Sequence, residues 1–424
     1  MHYGVDEKLP FLTTLLYGLQ WFVVTLPSAV ITGVIVTQMH NYSLMEQHAY
    51  LQILLIAVGV TTVAQVLWGH RLPLILGPAA TLLIGVTASL SHSTAQIYTA
   101  IAIGGGVVSL LAVSGPLRKV YAIFTPRVII VILLLVALNL IPVIVSLILS
   151  DGGGLGNVVF ALLFVLGVVV INTFLQGIWK ATTLIWGILL GTVVYLTWVD
   201  IPFLQGDIVY TLPSFVPIAF EFDSGVVIAF LFCFLGLVIN ELGSIEAVGY
   251  FLKADNMEKR VQRGVLGIGL SNVFSGGFGV IGFVDFSISS GIIAATRCAS
   301  RYPLIPTGLL LISCAFIPGV IDVLMALPRV VMGSLLLYIM STQLVAGLTM
   351  LTRENCIGNF NEGLVLALPV MVALATNNLP ASVLASAPQA LQSIVGNGFV
   401  MGIIFVLILE HILLPIEGRM VKKP

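Results

Sequence analysis

Charged residues are scarce in this chain. Of its 424 residues only 8% are Asp, Glu, Lys or Arg, whereas 59% are hydrophobic. A water-soluble domain carries about 25% charged residues, so the composition excludes a soluble globular protein. Apolar runs near the length that an α-helix needs to cross roughly 30 Å of hydrocarbon recur from residue 11 to residue 415. We count fourteen such runs and predict an all-α polytopic membrane protein.

Motifs of catalysis and metal binding are also missing. The sequence contains neither HExxH nor GxSxG, and Cys233, Cys298, Cys314 and Cys356 show no metal-binding spacing such as CxxC. Most of these cysteines fall in predicted spans, which favours packed, reduced thiols. No loop is long enough to fold as a catalytic domain. The sequence therefore predicts no enzyme, no metal site and no nucleic-acid partner.

Basic residues are few, and sixteen of the seventeen lie in alternate loops. The positive-inside rule assigns these loops to the cytoplasm. The opposite loops, around residues 41–50, 151–156, 200–223 and 376–388, contain no Lys or Arg. We therefore predict cytoplasmic N- and C-termini, in the plasma membrane of a prokaryote because the termini are short and carry no sorting signal. The cytoplasmic set includes Arg118, Lys119, Arg419, Lys422 and Lys423.

The exception, Arg329, indicates an internal repeat. The segment TPRVIIVILLL from Thr125 is similar to LPRVVMGSLLL from Leu327, which lies 202 residues later. An inverted repeat gives corresponding helices opposite orientations. Arg127 would then begin the fifth span inside, and Arg329 would begin the twelfth span outside. The sequence thus predicts a seven-plus-seven inverted repeat.

Two apolar segments are too short, and too rich in Gly and Pro, to cross the membrane as regular helices. They are the third segment, residues 71–81, and the tenth, residues 275–303. Broken backbone at mid-depth is tolerated only where protein or a cavity surrounds it, and a half-helix N-terminus there presents free N–H groups. We expect two half-helices, each preceded by a short extended stretch, to form the substrate site. Two ordinary kinked helices are the alternative.

Four stretches of the chain resemble the nucleobase-ascorbate transporter family, also called nucleobase-cation symporter 2. They are YGVDEKLPFLTTLLYGLQW at the first span, LPLILGPAATLL in the third segment, SGPLRKVYAIFTPRVIIVILLLVALNLIP across spans four and five, and Gly291-x4-Thr296-Arg297-x2-Ser300-Arg301 in the tenth. The resemblance covers nearly the whole chain, and the last motif is specific.

This resemblance implies two domains within the repeat. A core domain, residues 1–120 (spans one to four) and 224–325 (spans eight to eleven), would hold the substrate. A gate domain, residues 121–223 (spans five to seven) and 326–424 (spans twelve to fourteen), would support a homodimer. Family members move uracil, xanthine, urate or related bases with protons or sometimes sodium. We therefore expect a secondary active nucleobase transporter without a bound cofactor, in which the core slides against the gate in an elevator-type cycle.

The sequence departs from the family pattern at the expected ligands. Family proteins have Gln or Glu and then Asn just before the Gly of the tenth-segment motif, where this chain has Ile288 and Ser289. In span eight they have a carboxylate, followed four residues later by His or Asp. Alignment on the following Ala-Val-Gly assigns Asn240 to the carboxylate position and Ser244 to the second position. A shift by one residue assigns Glu241 to the carboxylate position instead.

Helical geometry narrows the choice in span eight. At 100° per residue, Asn240, Glu241 and Ser244 share an arc of about 100°, and Glu246 points almost opposite. A carboxylate in a spanning helix costs roughly 2.5–3.5 kcal/mol and is a functional candidate by default. We favour Glu241 as the group that binds a substrate N–H and takes the co-transported proton. A Glu that neighbouring helices satisfy is the alternative, and a structural role is favoured for Glu246.

Further candidates lie in the two broken segments. Ala79 and Ala80, at the start of the third half-helix, could present backbone N–H groups to a ring carbonyl. Ser289 and Ser290 could do the same in the tenth segment, with hydroxyls in addition. We include all four in the predicted substrate site.

Two candidates in the first span have two interpretations each. Gln20 either contacts the substrate or braces the core helices. Trp21 either stacks on a planar ligand or packs against neighbouring helices, as aromatic residues in spans more often do. We expect Asp285 near the outer vestibule rather than at the ligand. Glu410 and His411 are predicted to hydrogen-bond between helices.

The alternatives for function follow from the same features. Two half-helix N-termini that face each other also suit an anion. An anion transporter of the related sulfate-permease type is therefore one alternative, although its pattern lacks the Thr-Arg-x2-Ser-Arg ending. A nucleobase facilitator without ion coupling is another. The coupling ion is H⁺ in our interpretation, with Na⁺ as the alternative.

Overall fold

The computed structural model describes residues 1–115, 123–150, 154–176, 179–180, 182–199, 213–215, 217–286 and 288–414. The basic residues Arg118, Lys119, Arg419, Lys422 and Lys423 lie outside this part of the chain.

Helices account for most of the described residues. The first half contains α1 (Phe11–Met39), α2 (Leu44–Leu67), the strand β1 (Leu76–Pro78), α3 (Ala80–Ala88), α4 (Thr94–Ser114), α5 (Pro126–Asn139), α6 (Ile141–Ile148), α7 (Gly154–Phe174) and α8 (Thr183–Trp198). The second half contains α9 (Ser224–Leu252), α10 (Met257–Gly277), the strand β2 (Phe283–Asp285), α11 (Ser289–Thr296), α12 (Leu304–Ala315), α13 (Pro318–Met325), α14 (Arg329–Arg353), α15 (Phe360–Asn377), α16 (Ala381–Ala385), α17 (Gln389–Val395), α18 (Gly398–Ile408) and a π-helical turn (Leu409–Leu413).

Eight of the described helices are long and apolar enough to cross a membrane, when α5 and α6 are counted as one. The number is nine if α12 and α13, which meet at 88°, form one bent span. The chain is therefore a multi-pass helical membrane protein, as predicted. Fourteen spans and the inverted repeat stay predictions.

Several spans begin at a capping residue that the sequence supplies. Ser43 before α2 and Ser93 before α4 each form a capping box, with Glu46 and Gln96 respectively. Asp223 accepts a hydrogen bond from the third residue of α9. These side chains satisfy N–H groups that the first helical turn leaves without acceptors.

One group of helices, which we call the first bundle, surrounds the two strands and consists of α1–α4 and α9–α12. Its backbones touch at glycines. A Cβ added to Gly105 of α4 would lie 2.7 Å from the carbonyl oxygen of Gly269 in α10. A Cβ added to Gly59 of α2 would lie 2.5 Å from the carbonyl oxygen of Gly308 in α12. Small residues permit such close packing between membrane helices.

The second bundle consists of α5–α8, α14, α15 and α18. In it α14 packs on α5, α6, α7 and α8, while α15 packs on α18 and α5. The two bundles meet where α9 contacts α18, where α1 contacts α8, and where α3 contacts α5, and the short helix α17 contacts both α9 and α18. The Glu410 carboxylate lies 3.4 Å from the Arg127 guanidinium of α5, and His411 Nε2 lies 2.7 Å from the Ile123 carbonyl oxygen. The expected hydrogen bond of Glu410 to another helix is therefore present, and His411 binds the segment just before α5.

The N-terminal segment, residues 2–8, is hydrogen-bonded to the end of the tenth segment, and we call it the N-terminal strap. Tyr3 forms a parallel bridge with Cys298. The Ser300 hydroxyl donates to the Glu7 carbonyl oxygen at 2.6 Å, and Arg301 Nε donates to Asp6 Oδ1 at 2.7 Å. The Ser-Arg part of the tenth-segment motif thus holds the chain's beginning against the first bundle.

Candidate functional site

The two broken segments lie side by side inside the first bundle. We call their paired strands, together with the residues that join the strands to the half-helices, the crossing. β1 and β2 pair antiparallel, with Leu76 opposite Asp285 and Pro78 opposite Phe283. The half-helices α3 and α11 follow these strands directly. Both predicted half-helices, each with its short extended stretch, are therefore present. Because residues 76–78 and 283–285 are buried, this backbone must be satisfied by protein groups.

Side chains of the surrounding helices satisfy the backbone of β2. Asn272 of α10 accepts from the Phe283 N–H at 2.9 Å and donates to the Phe283 carbonyl oxygen at 3.1 Å. The Tyr50 hydroxyl accepts from the Ile281 N–H at 3.0 Å, and the Ser244 hydroxyl donates to the Asp285 carbonyl oxygen at 2.9 Å. Polar residues of α2, α9 and α10 therefore fix the position of the strand that leads into α11.

The strand β1 passes through a narrow space. A Cβ added to Gly77 would lie 2.8 Å from the ring of Phe286 and 3.0 Å from the hydroxyl oxygen of Ser28 in α1. Only glycine allows the strand to pass between these two side chains. This glycine was part of the sequence signal for a broken segment.

Three titratable residues, His70, Glu241 and Asp285, lie close together at the crossing, and we call them the buried cluster. All three have 0% exposed surface. The Asp285 N–H donates to Glu241 Oε2 at 2.9 Å, and His70 Nε2 lies 3.3 Å from Asp285 Oδ2. The Leu72 N–H donates to His70 Nδ1 at 2.9 Å, so the neutral ring carries its proton on Nε2.

Our expectation that Asp285 lies near the outer vestibule is wrong. Pairing with Leu76 of β1 draws the residue into the centre of the first bundle, where Glu241 and Ser244 bind its backbone. A signal was present in the sequence, since an ionisable residue between Val284 and Phe286, in a segment predicted at mid-depth, is a functional candidate by default. His70 gave no such signal, because it follows directly after a span.

The structure divides the predicted site residues into two sets. Fully or almost fully buried are Trp21, Ala79, Glu241, Ser244 and Ser289. Half-buried are Gln20, Ala80, Asn240 and Ser290.

Most members of the buried set already have partners. The Ala79 N–H donates to the Gly282 carbonyl oxygen at 2.9 Å, so it is not offered to a ligand. The Ser289 hydroxyl accepts from the Ile75 N–H at 3.1 Å and donates to the Phe286 carbonyl oxygen at 2.7 Å. Trp21 packs in an apolar cluster of the first bundle. These residues build the crossing rather than line an accessible surface.

One member of the half-buried set, Asn240, lies on a face of α9 that is partly accessible. Gly236, Asn240, Gly243 and Ala247 recur on one face of α9 at helical spacing. At Gly236 this face is covered, because an added Cβ would lie 3.0 Å from Phe399 of α18. Asn240 is half-buried, Gly243 and Ala247 are exposed, and a Cβ added to Gly243 would meet nothing within 4 Å. Glu241 is rotated from this face by about 100°, onto the buried side.

The half-helices also present accessible positions, and α9 contacts both of them. Ile288, which precedes α11, is 49% exposed, and Gly291 is exposed with nothing within 4 Å of an added Cβ. Ala80, the first residue of α3, is half-buried. We call these accessible positions of α9 and α11, namely Asn240, Gly243, Ile288 and Gly291, the open face.

The open face offers an amide and two half-helix N-termini. The Asn240 side chain can donate and accept hydrogen bonds at once. In α11 the Ser289 and Gly291 N–H groups already donate to the Phe286 and Ile288 carbonyl oxygens, at 3.2 and 3.0 Å. The half-helix N-termini therefore offer a ligand their positive dipole ends more than free N–H groups. Gln20 of α1 has a buried Oε1 atom without a hydrogen-bond partner among the described residues. No group of three His, Cys, Asp or Glu residues in the described chain could hold a metal ion.

Comparisons with known proteins agree with this architecture. A family model named Xan_ur_permease and described as "Permease family" matches residues 12–382. A xanthine permease of Bacillus subtilis (strain 168) is 24% identical over 404 residues, which cover 92% of this chain and 91% of that protein. The nucleobase transporter PlUacP of Paenibacillus larvae is 25% identical over 374 residues, which cover 84% of this chain and 85% of that protein.

A solved structure shares the fold. The transmembrane domain of the cyanobacterium bicarbonate transporter BicA superimposes with a TM-score of 0.60, covering 96% of this chain and 99% of that domain. The sequence identity is 16%, so this likeness concerns the fold alone.

Proposed function

Since the chain belongs to the permease family of nucleobase-cation symporters 2, we propose that it is a secondary active transporter of a nucleobase. Membership in this family makes it a transporter and not an enzyme. The observation that carries the substrate class is the open face, where the Asn240 amide lies on the helix that contacts both half-helices. The names of the Bacillus and Paenibacillus relatives support the same substrate class.

The base binds at the open face of α9. The Asn240 amide pairs with the alternating N–H and C=O groups on one edge of the ring, because an amide can match both. The N–H of Ala80 binds a ring carbonyl oxygen, and the positive dipole end of α11 favours the partial negative charge of such an oxygen. Gln20 and Ser290 flank this space. Glu241 does not touch the base in this proposal, because its carboxylate is fully buried on another side of α9.

The first bundle acts as the core domain, residues 1–120 and 224–325, and the second as the gate domain, residues 121–223 and 326–424. Fourteen segments in a seven-plus-seven inverted repeat suit the order of elements. The contact of spans two and eleven, α2 with α12, then corresponds by symmetry to that of spans nine and four, α10 with α4, and glycines mediate both. The core slides against the gate to give alternating access.

The remaining parts of the proposal concern the membrane. The protein works as a homodimer through the gate domain, in the plasma membrane of a prokaryote, with both termini in the cytoplasm. The distribution of basic residues supports this orientation. Protons drive uptake, and Glu241 takes part in binding them.

Uptake by purified protein in liposomes tests the function. Labelled uracil, xanthine, urate and adenine are offered with and without an inward proton gradient. We expect one of these bases to accumulate when the gradient is imposed. In Asn240→Ala the KM for that base should rise about tenfold or more, because a buried hydrogen-bond partner left unpaired costs about 1–3 kcal/mol.

Glu246→Gln is the matched control, since it changes a polar side chain of the same helix away from Asn240. Its KM should equal that of the unmodified protein. Equal KM values for Asn240→Ala and the unmodified protein would remove Asn240 from the site.

Anion transport is the second candidate, because two half-helices begin directly after the paired strands, in a fold shared with a bicarbonate transporter, and a half-helix N-terminus favours an anion. Two carboxyl groups, Glu241 and Asp285, lie directly behind the crossing and disfavour an anion there. Labelled sulfate and bicarbonate belong in the same uptake panel. Uptake of either anion without uptake of any base would decide for this alternative.

A further inference from the structure

The buried cluster stands apart from the open face, although both share α9. We propose that His70, Glu241 and Asp285 form a proton-binding site that is separate from the substrate surface, with one proton shared between the two carboxyl groups. This inference rests on the proposed function and specifies where its coupling ion binds. In this inference Asp285 and His70 belong to the proton-binding site together with Glu241, and none of the three residues contacts the base.

The two carboxyl groups are arranged to share a proton. The Asp285 N–H donates to Glu241 Oε2 at 2.9 Å, which brings the two side chains close together. Glu241 Oε1 and both carboxyl oxygens of Asp285 are buried without a hydrogen-bond partner among the described residues, so they can accept a proton. An ionised carboxylate can only accept hydrogen bonds, so a hydrogen bond between two carboxyl groups requires a proton on one of them. Both side chains have 0% exposed surface, so water does not screen a second negative charge.

His70 supplies a donor to the same site. Its Nδ1 accepts from the Leu72 N–H, so the proton of the neutral ring is on Nε2, 3.3 Å from Asp285 Oδ2. One negative charge shared by the two carboxyl groups therefore lies between the His70 ring, whose Nε2 is 3.3 Å from Asp285 Oδ2, and the Asp285 N–H, which donates to Glu241. Glu241 Oε1 faces α10 at Gly264, a residue without a titratable side chain.

The nearest fixed cations are engaged elsewhere. Arg260 of α10 donates to the carbonyl oxygens of His70 at 3.1 Å and Arg71 at 2.6 Å, and it lies 3.5 Å from Asp6. Arg301 binds Asp6 at 2.7 Å. Among the described residues, no Lys or Arg forms an ion pair with Glu241 or Asp285. A proton is therefore the charge that can neutralise the second carboxylate.

The location of the cluster explains how proton and base could be coupled without a shared ligand. Asp285 is the last residue of β2, and α11 begins four residues later. The Ser244 hydroxyl and the Glu241 carboxylate together hold the backbone of Asp285 against α9. Loss of the proton would leave two adjacent negative charges, which push β2 away from α9. The half-helix N-terminus at the open face would then shift, and the base would be released.

Two transport assays in liposomes separate coupling from substrate binding. The first measures accumulation of labelled base under an inward proton gradient. The second measures exchange of labelled for unlabelled base at equal pH on both sides, which needs no net proton movement. In Asp285→Asn and Glu241→Gln, which keep size and shape, we expect exchange to persist and accumulation to be lost. Glu246→Gln is the control and should retain both.

Three results would overturn the inference. Accumulation by Asp285→Asn equal to that of the unmodified protein would show that the cluster does not carry the coupling proton. Loss of exchange together with accumulation, in protein that elutes as a single species, would assign Asp285 to the substrate surface. A requirement for Na⁺ instead of a proton gradient would assign coupling to another ion. If the unmodified protein exchanges no base, the proposed function itself fails, which the exchange assay reveals separately.

A direct proton measurement covers the case in which one variant does not fold. Binding of the base to detergent-solubilised protein is followed in weakly buffered solution with a pH indicator. The unmodified protein should take up protons when the base binds, and Glu241→Gln should bind the base without this uptake. Proton uptake by Glu241→Gln equal to that of the unmodified protein would also overturn the inference.

Discussion

At the scale of single residues, Ser289 shows how the crossing is stabilised. Its hydroxyl joins the two broken segments, because it accepts from the Ile75 N–H before β1 and donates to the Phe286 carbonyl oxygen after β2. The side chain is fully buried, so water cannot replace either bond. One hydroxyl therefore satisfies a donor and an acceptor that lie more than 200 residues apart.

Removal of this hydroxyl should destabilise the protein. In Ser289→Ala the Ile75 N–H loses its acceptor in a dry environment, which costs about 1–3 kcal/mol of unfolding free energy. The melting temperature of the purified protein in detergent measures this loss. Ser313→Ala is the matched control, because the exposed Ser313 hydroxyl donates within its own helix, α12, and its removal should change stability by less than about 0.5 kcal/mol. Equal melting temperatures for both variants would contradict this account of the crossing.

At the scale of elements, backbone contact between helices gives the first bundle its shape. A Cβ added to Gly269 of α10 would lie 2.7 Å from the backbone nitrogen of Ser109 and 2.9 Å from the carbonyl oxygen of Gly105. Backbone atoms cannot move aside as a flexible side chain does. α4 and α10 must therefore separate if residue 269 becomes larger.

Gly269→Val should prevent this packing. Overpacking in a close contact costs about 1–3 kcal/mol or more, so we expect a lower melting temperature and a smaller yield of monodisperse protein. Gly167→Ala in α7 is the control, since an added Cβ there meets nothing within 4 Å. That change should be neutral or stabilise by up to about 1 kcal/mol, because Ala favours the helix. A Gly269→Val protein as stable as the control would disprove the contact.

The elements themselves were largely predictable, and their pairings were not. Gly77, Pro78 and the glycines before Ser289 indicated two broken segments, because such residues interrupt regular helices locally. The register of β1 against β2 depends on partners about 200 residues apart, so no local pattern specifies it. The location of Asp285 follows from that register, which is why we expected it elsewhere. Helical spacing predicted that Asn240 and Glu241 lie within one arc of α9, yet it could not tell which edge of that arc meets the open face.

At the scale of the whole molecule, the proposed sliding of the two bundles should stop when they are linked. A Cβ added to Gly236 of α9 lies 3.5 Å from Cγ2 of Ile132 in α5, so cysteines at these positions are close enough for a disulfide. In a variant whose four native cysteines are replaced by alanine, oxidation of Gly236→Cys with Ile132→Cys should abolish transport. Reduction should restore it.

A second cysteine pair controls for the effect of cross-linking alone. Gly347→Cys with Leu133→Cys joins α14 to α5 inside the second bundle, where the two Cβ atoms would lie 3.5 Å apart. Transport by this pair should survive oxidation. If the pair between the bundles is fully cross-linked and still transports at the original rate, the bundles do not slide past each other at this contact.

The N-terminal strap has a consequence for how the protein is made. Glu7 and its partner Ser300 are 293 residues apart, so the beginning of the chain emerges from the ribosome long before the segment that holds it. At roughly 5–20 residues per second, synthesis of the intervening chain takes about 15–60 s. During that time α1–α4 are in the bilayer without their packing partners α9–α12. Assembly of the first bundle is therefore a late event in biogenesis, and the strap can close only after the second half of the protein has been inserted.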